Sequence, residues 1–220
     1  LMTPIVLCSI LALIIIIERA SQLQLDKVAP KRLREQLINR LREADDISRT
    51  QLMNVKEKNP LGDILATGLL YRHYGMESMT MHMQNRASVQ IHALEKNINM
   101  LGTIGAIAPL LGLLGTVLGI ISSFLAISDV TMQDPTMLAA GVSQALITTA
   151  AGMIVAIPAL VGYRYFQRRI VDINAEFETQ AGLMMQELYD FNLMPSYEHR
   201  SSMPIGADPL YVRPADASHH

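Results

Sequence analysis

The sequence predicts an all-α membrane protein with three transmembrane helices and long helical extensions outside the membrane. Three uncharged stretches carry this prediction, at residues 1–17, 97–128 and 135–163. The second and third exceed the roughly 20 apolar residues that a helix needs to cross a bilayer core, and the first is near the lower limit. Hydrophobic residues make up 50% of the chain, and the mean hydropathy is +0.24. These values favour a small polytopic membrane protein over a soluble enzyme.

The expected segments follow one another along the chain. They are a first transmembrane helix (1–18), a cytoplasmic helical domain (19–99), a second transmembrane helix (100–127), a periplasmic connection (128–136), a third transmembrane helix (137–163), a cytoplasmic helix (164–192) and an irregular cytoplasmic tail (193–220).

The first span ends abruptly at Glu18-Arg19, where the charges begin. A cleaved signal peptide carries positive charge before its apolar run, whereas here the charge follows the run, so we expect an uncleaved span. Cys8 lies within this run and is the only cysteine, which excludes a disulfide within the chain. Glu18, next to Arg19, is interpreted as an interfacial anchor.

The segment between the first two spans is polar and helical in pattern. Lys31 to Asp46 alternates charged residues with apolar ones at helical spacing, which predicts an amphipathic helix. Asn59-Pro60 breaks that pattern, and a short helix from Leu61 to Tyr74 follows. The stretch from Glu77 to Met100 has no stop signal and should continue directly into the second span.

The distribution of cations predicts the orientation in the membrane. Thirteen of the 18 Lys and Arg residues lie between Arg19 and Lys96, and Arg164, Arg168 and Arg169 directly follow the third span. The connection at 128–136 contains two aspartates and no cation. The positive-inside rule then places the first terminus and this connection in the periplasm and the rest of the soluble parts in the cytoplasm.

Small residues recur at helical spacing in the second and third spans. At about 100° per residue, one narrow stripe of the second span collects Gly105, Pro109, Gly112, Thr116, Gly119 and Ser123, with Gly115 and Gly119 forming a small-xxx-small pair. The third span has a similar face with Gly141, Ala145, Thr148, Thr149, Gly152, Ala156 and Ala159, and with Gln144 at its edge. Two interpretations fit. The faces pack helix against helix, or they line a shared cavity in which Thr116 and Thr148 or Thr149 offer hydroxyls.

Neither of these two spans contains an Asp, Glu, His, Lys or Arg residue. Intramembrane ionisable residues usually carry proton movement, so a role in proton flow would require an acid from another chain. Pro158 removes a backbone donor, which either kinks the third span or bends it passively. No motif indicates an enzyme, a cofactor, a metal site or nucleic-acid binding.

Two ordered motifs lie in these spans. They are Ala108-Pro109-Leu110-Leu111-Gly112-Leu113-Leu114-Gly115-Thr116-Val117-Leu118-Gly119-Ile120, and Gly141-Val142-Ser143-Gln144-Ala145-Leu146-Ile147-Thr148-Thr149-Ala150-Ala151-Gly152 with Val155-Ala156-Ile157-Pro158 after it. Together they closely resemble the ExbB/TolQ/MotA proton-channel family, and the ExbB branch is nearest.

The resemblance implies a bacterial inner-membrane stator subunit that forms a pentamer. The ring would surround an ExbD-like single-span partner carrying an intramembrane aspartate, and a TonB-like protein would use the proton motive force for import across the outer membrane. Thr116 and Thr149 match the family's threonines near that aspartate, Thr148 is a neighbouring candidate, and Pro158 matches the third-span proline. Gln144 stands where many members have a glutamate, and an amide cannot carry a proton. Alternatives are a TolQ-like subunit of the Tol-Pal envelope-integrity system and a passive membrane scaffold, with a membrane enzyme a distant third.

Overall fold

The computed structural model describes residues 2–44, 47–128 and 135–194, which are nearly all helical and contain no strand. The helices are α1 (Met2–Gln22), α2 (Leu25–Val28), α3 (Leu33–Ala44), α4 (Arg49–Lys58), α5 (Pro60–Tyr71), α6 (Met76–Ser128) and α7 (Pro135–Asp190), with a 3₁₀ turn at Arg72–Tyr74. Most of the expected periplasmic connection (128–136) and irregular tail (193–220) lies outside the described residues.

Three helices are long and apolar enough to cross a membrane, so the predicted all-α fold class with three spans is confirmed. The candidate stretches are Met2–Gln22, Met76–Leu125 and Leu138–Asp190. The second and third belong to helices that run on, without interruption, far past the apolar residues. A bilayer core accommodates only about 20 residues of each, so the remainder of α6 and α7 must lie outside it.

Local hydrogen bonds set helix boundaries that differ in detail from the sequence pattern. α1 continues to Gln22 because the side chains of Ser21 and Gln22 both donate to Glu18 and sustain the last turn. A separate α4 follows α3, and its N-cap is Ser48, whose side chain accepts from the Gln51 N–H.

The chain forms two compact units. One consists of residues 1–28 and 90–174, which include α1, α2, the later part of α6 and the earlier part of α7. Its buried side chains include Ile98 and Leu101 on α6 and Phe166 and Ile170 on α7. α1 packs on α7 near Gly162, where an added methyl group would lie 3.2 Å from Ile16 Cγ1.

The other unit consists of residues 29–89 and 175–220, and α5 is its most buried helix. Pro60 occupies the first turn of α5, and the Asn59 side chain accepts from the Gly62 N–H at 2.7 Å. Every residue from Leu61 to Leu69 is buried, including Asp63, which forms ion pairs with Arg86 and with Lys56. A helix that is buried on all sides needs such pairing for its one carboxylate.

Contacts between distant parts of the sequence complete this second unit. Arg34 on α3 donates to Gln180 at 3.0 Å and forms an ion pair with Glu187, both on α7. The Arg42 guanidinium lies 4.5 Å from the centroid of the Phe191 ring, within the range of a cation–π interaction.

Candidate functional site

α6 and α7 pack against each other in antiparallel directions through small residues. The approach is close: a methyl group on Gly119 would lie 2.8 Å from Ala145 Cβ, and one on Gly152 would lie 2.6 Å from the Ala108 carbonyl oxygen. The facing residues run in opposite order along the two helices: Gly105 with Leu160, Gly112 with Thr149, Gly115 with Thr148, Gly119 with Ala145 and Ser123 with Gly141. Small residues are what allow two helix backbones to come this near.

All six glycines that the sequence analysis assigned to helix packing lie at this contact. They are Gly105, Gly112, Gly115, Gly119, Gly141 and Gly152. Pro109, the seventh assigned residue, is only half-buried, and α6 continues through it. The small-residue faces of α6 and α7 therefore meet each other within one chain.

The hydroxyl group of each of the three candidate threonines donates a hydrogen bond to a backbone carbonyl oxygen. Thr149 donates across the helix pair to the Gly112 carbonyl oxygen at 2.9 Å. Thr148 donates to Gln144 at 3.1 Å and Thr116 to Leu113 at 2.6 Å, each within its own helix. Each oxygen keeps lone pairs that can accept a further hydrogen bond. Thr148 is 8% exposed, whereas Thr116 and Thr149 are half-buried.

An open cleft of about 450 Å³ lies beside part of this contact. Its polar lining comes from Ser122 and Ser123 on α6 and from Gln144 and Thr148 on α7, and Met2 of α1 lies at its margin. Ser122 donates to the Leu118 carbonyl and Ser123 to the Gly119 carbonyl, both at 2.8 Å. The structure thus brings Gln144 and Thr148 together in one polar cleft, and Thr116 and Thr149 do not line it.

Pro158 lies away from this cleft on an exposed face of α7. The helix continues through it, and a proline has no N–H for the Ile154 carbonyl one turn earlier. The exposed side chains around it are large and apolar, among them Ile154, Ile157 and Val161. Such a face suits lipid or another apolar protein surface.

Ser122 lines the cleft although the periodic pattern of the sequence did not single it out. Two adjacent serines near the end of a long apolar run were the available indication, because a hydroxyl at that depth needs a hydrogen-bond partner. Ser123 was placed on the stripe, but its role in a cleft depends on contact with Gly141 across the pair.

The arrangement can accept hydrogen bonds and pack helices, but its own side chains cannot exchange protons near neutral pH. Thr, Ser and Gln do not titrate in that range. Among the described residues, no group of three or more His, Cys, Asp or Glu residues could hold a metal ion.

Comparison with known proteins identifies the family that the chain matches. Residues 56–179, more than half of the chain, match the MotA/TolQ/ExbB proton channel family. The matched range includes α5, the whole of α6 and the part of α7 that packs on it.

Individual relatives carry two kinds of name. Biopolymer transport protein ExbB of Salmonella typhimurium is 38% identical over 108 residues, covering 49% of this chain and 43% of the relative. Biopolymer transport protein exbB1 of Vibrio cholerae is 32% identical over 171 residues, covering 72% and 71%. Tol-Pal system protein TolQ of Haemophilus influenzae is 36% identical over 99 residues, covering 44% and 43%. The chain thus spans less than half the length of the Salmonella and Haemophilus relatives.

Proposed function

The chain belongs to the MotA/TolQ/ExbB proton channel family, and on that premise we propose that it is the stator subunit of an ExbB-type complex in the bacterial inner membrane. In this proposal the complex uses the proton motive force to energise TonB-dependent import across the outer membrane. The first terminus lies in the periplasm and the soluble helices lie in the cytoplasm.

The observation that carries the proposal is the close, charge-free pairing of α6 and α7. No charged residue lies between Lys96 and Asp129 or between Asp134 and Arg164. A helix pair that held its own titrating group would need an Asp, Glu or His within these limits. The missing acid therefore has to come from another chain, which we propose is an ExbD-like single-span protein with an intramembrane aspartate.

The exposed faces of the same helices support assembly with other chains. Large apolar side chains remain uncovered on α6 and α7, for example Leu110, Leu114, Ile147 and Ile154. In the proposed complex, some of these meet lipid and others meet neighbouring copies in a homo-oligomeric ring, a pentamer by family resemblance. The ring's inner surface would present the acceptor oxygens of Thr116, Thr148 and Thr149, with Gln144 near them.

Thr116 offers a sharp test, because its hydroxyl bonds only to its own helix and contributes nothing to the α6–α7 contact. We expect Thr116→Val, co-purified with the partner, to lower proton flux into liposomes at least several-fold, while the mass of the complex stays unchanged. Thr116→Ser keeps an oxygen at the same position and is the matched control. Undiminished flux in Thr116→Val would remove Thr116 from the path, and a wild-type complex without flux would indicate a passive scaffold.

The TolQ relatives favour a second candidate function, a subunit of the Tol-Pal system. The two candidates differ in what a deletion strain loses. Loss of siderophore uptake with intact resistance to detergents supports the TonB role. Detergent sensitivity and chained cells with normal uptake support the Tol-Pal role.

A further inference from the structure

Arg19, near the end of α1, is a buried cation without a counterion in the described part of the chain. Only 6% of the residue is exposed. Its Nε atom is inaccessible and has no hydrogen-bond partner. Within the ranges 2–44, 47–128 and 135–194, no carboxylate lies within ion-pairing distance of its guanidinium.

A buried guanidinium without an anionic partner is costly, because it has lost hydration that nothing replaces. A buried charge is stable only when it is paired and hydrogen-bonded. Arg19 lies in the last turn of α1, where the partial negative charge of the helix terminus offers some compensation. That compensation supplies no hydrogen-bond acceptor for Nε.

Two charged side chains, those of Glu18 and Arg169, lie around the end of α1, and neither forms an ion pair with Arg19. Glu18 precedes Arg19 but is rotated about 100° around the helix, and its Oε1 accepts from Gln22. Arg169 on α7 reaches the backbone carbonyl of Leu23, where its Nε donates at 3.4 Å. The Leu23 N–H in turn bonds to the Arg19 carbonyl oxygen, so Leu23 lies one helical turn after Arg19 on the same side of the helix, and Arg169 contacts the chain at that level.

We propose that Arg19 and Arg169 form a binding site for a phosphate group, supplied by the headgroup of a phospholipid in the inner leaflet. The planar guanidinium offers paired donors that match phosphate oxygens, and one anion between two such groups removes both their repulsion and the unpaired charge. Residues 1–17 form the apolar run and Arg19 lies two residues beyond its end, which is the depth at which lipid phosphates lie. The site needs α1 to span the membrane, but it does not depend on proton conduction.

The experiment measures unfolding midpoints of the purified full chain in maltoside micelles, which contain no phosphate. Three additions are compared: phosphatidylglycerol, diacylglycerol with the same acyl chains, and inorganic phosphate. A ligand that binds only the folded state raises the midpoint as its concentration rises. We expect phosphatidylglycerol to stabilise the wild-type protein and diacylglycerol, which lacks the phosphate, to have no effect.

Arg19→Gln should weaken the apparent affinity for phosphatidylglycerol about tenfold or more. In micelles without any phosphate, the same variant should be more stable than the wild-type protein, because it no longer buries an unpaired charge. At a binding site, Arg19→Gln is thus more stable than the wild-type protein without phosphate but gains less stability from phosphatidylglycerol. If Arg19 were purely structural, Arg19→Gln would be less stable than the wild-type protein under both conditions. Arg164→Gln is the matched control, since Arg164 is an exposed cation at the end of the third span.

Each outcome decides the matter. Equal stabilisation by inorganic phosphate supports the site and makes free phosphate its ligand. No stabilisation by either compound, or an unchanged affinity in Arg19→Gln, overturns the proposal. Should Arg19→Gln fail to fold, Arg19→Lys keeps the charge without the paired donors, and undiminished affinity in it also refutes the proposal.

Discussion

A single methyl group at Gly112 should force α6 and α7 apart. In the structure, the Cβ atom of Gly112→Ala would lie 3.0 Å from Thr149 Cα and 3.2 Å from the carbonyl oxygens of Thr148 and Thr149. All three are backbone atoms, so no side-chain rotation relieves the contact. Carbon atoms prefer separations of about 3.5–4.0 Å, and the helices must therefore move by roughly half an ångström at this point.

The magnitude follows from three terms. Overpacking a tight contact costs about 1–3 kcal/mol. The hydrogen bond from Thr149 to Gly112 lengthens from 2.9 Å, and an interhelical bond of this kind is worth about 0.6 kcal/mol. Alanine gains about 1 kcal/mol over glycine in a helix interior. We therefore expect Gly112→Ala to lower the free energy of unfolding by about 0.5–2.5 kcal/mol.

Gly182→Ala is the matched control, because Gly182 also lies within α7 but has no atom within 4 Å of an added methyl group. It should raise the free energy of unfolding by about 0.5–1 kcal/mol. Equilibrium unfolding in mixed micelles with increasing SDS measures both variants. If the two substitutions shift the midpoint in the same direction, the close approach of α6 and α7 at Gly112 is wrong.

Three further substitutions test other contacts. Thr149→Val removes the hydrogen bond to Gly112 and should lower the free energy of unfolding by about 0.6–1.7 kcal/mol in the same SDS titration. Thr149→Ser should lower it less, and equal losses would show that the hydroxyl is unimportant. Asp63→Asn leaves Arg86 without its carboxylate and should lower the free energy of unfolding by about 1.5–3 kcal/mol. Hydrogen exchange throughout α5 should then become faster, and unchanged exchange would contradict the buried ion pair. Gly75 has a φ of 96° and a ψ of 168°. Gly75→Ala should therefore lower the free energy of unfolding, measured by thermal unfolding, by about 1–3 kcal/mol. A neutral result would argue against that backbone conformation.

The periodicity of the small residues was sufficient to place glycines where α6 meets α7. A helical projection gives the composition of a face, but it does not give the angle at which two helices cross. The projection therefore grouped Thr116 with Gly112, whereas the structure has Gly115 buried against Thr148 and Thr116 at the edge.

Features that depend on distant residues were not accessible from local pattern. The cleft with Ser122 and Gln144 exists only because α7 lies against α6 at that level. Arg19 lies two residues beyond the apolar run at 1–17, where a charged side chain is expected to be exposed at the interface, yet only 6% of it is exposed. Long-range packing of this kind leaves no periodic trace in the segment that becomes buried.

The unit that contains α5 is assembled from two pieces of chain, and this has a consequence for biosynthesis. Arg34 precedes its partner Gln180 by 146 residues and its partner Glu187 by 153. At about 5–20 residues per second, a ribosome needs roughly 7–30 s to make the intervening segment. During that interval Arg34 lacks both of the partners on α7 that it contacts in the finished protein. Because α6 and most of α7 precede Gln180 and Glu187 in the chain, these contacts of Arg34 form only after both long helices have been synthesised almost completely.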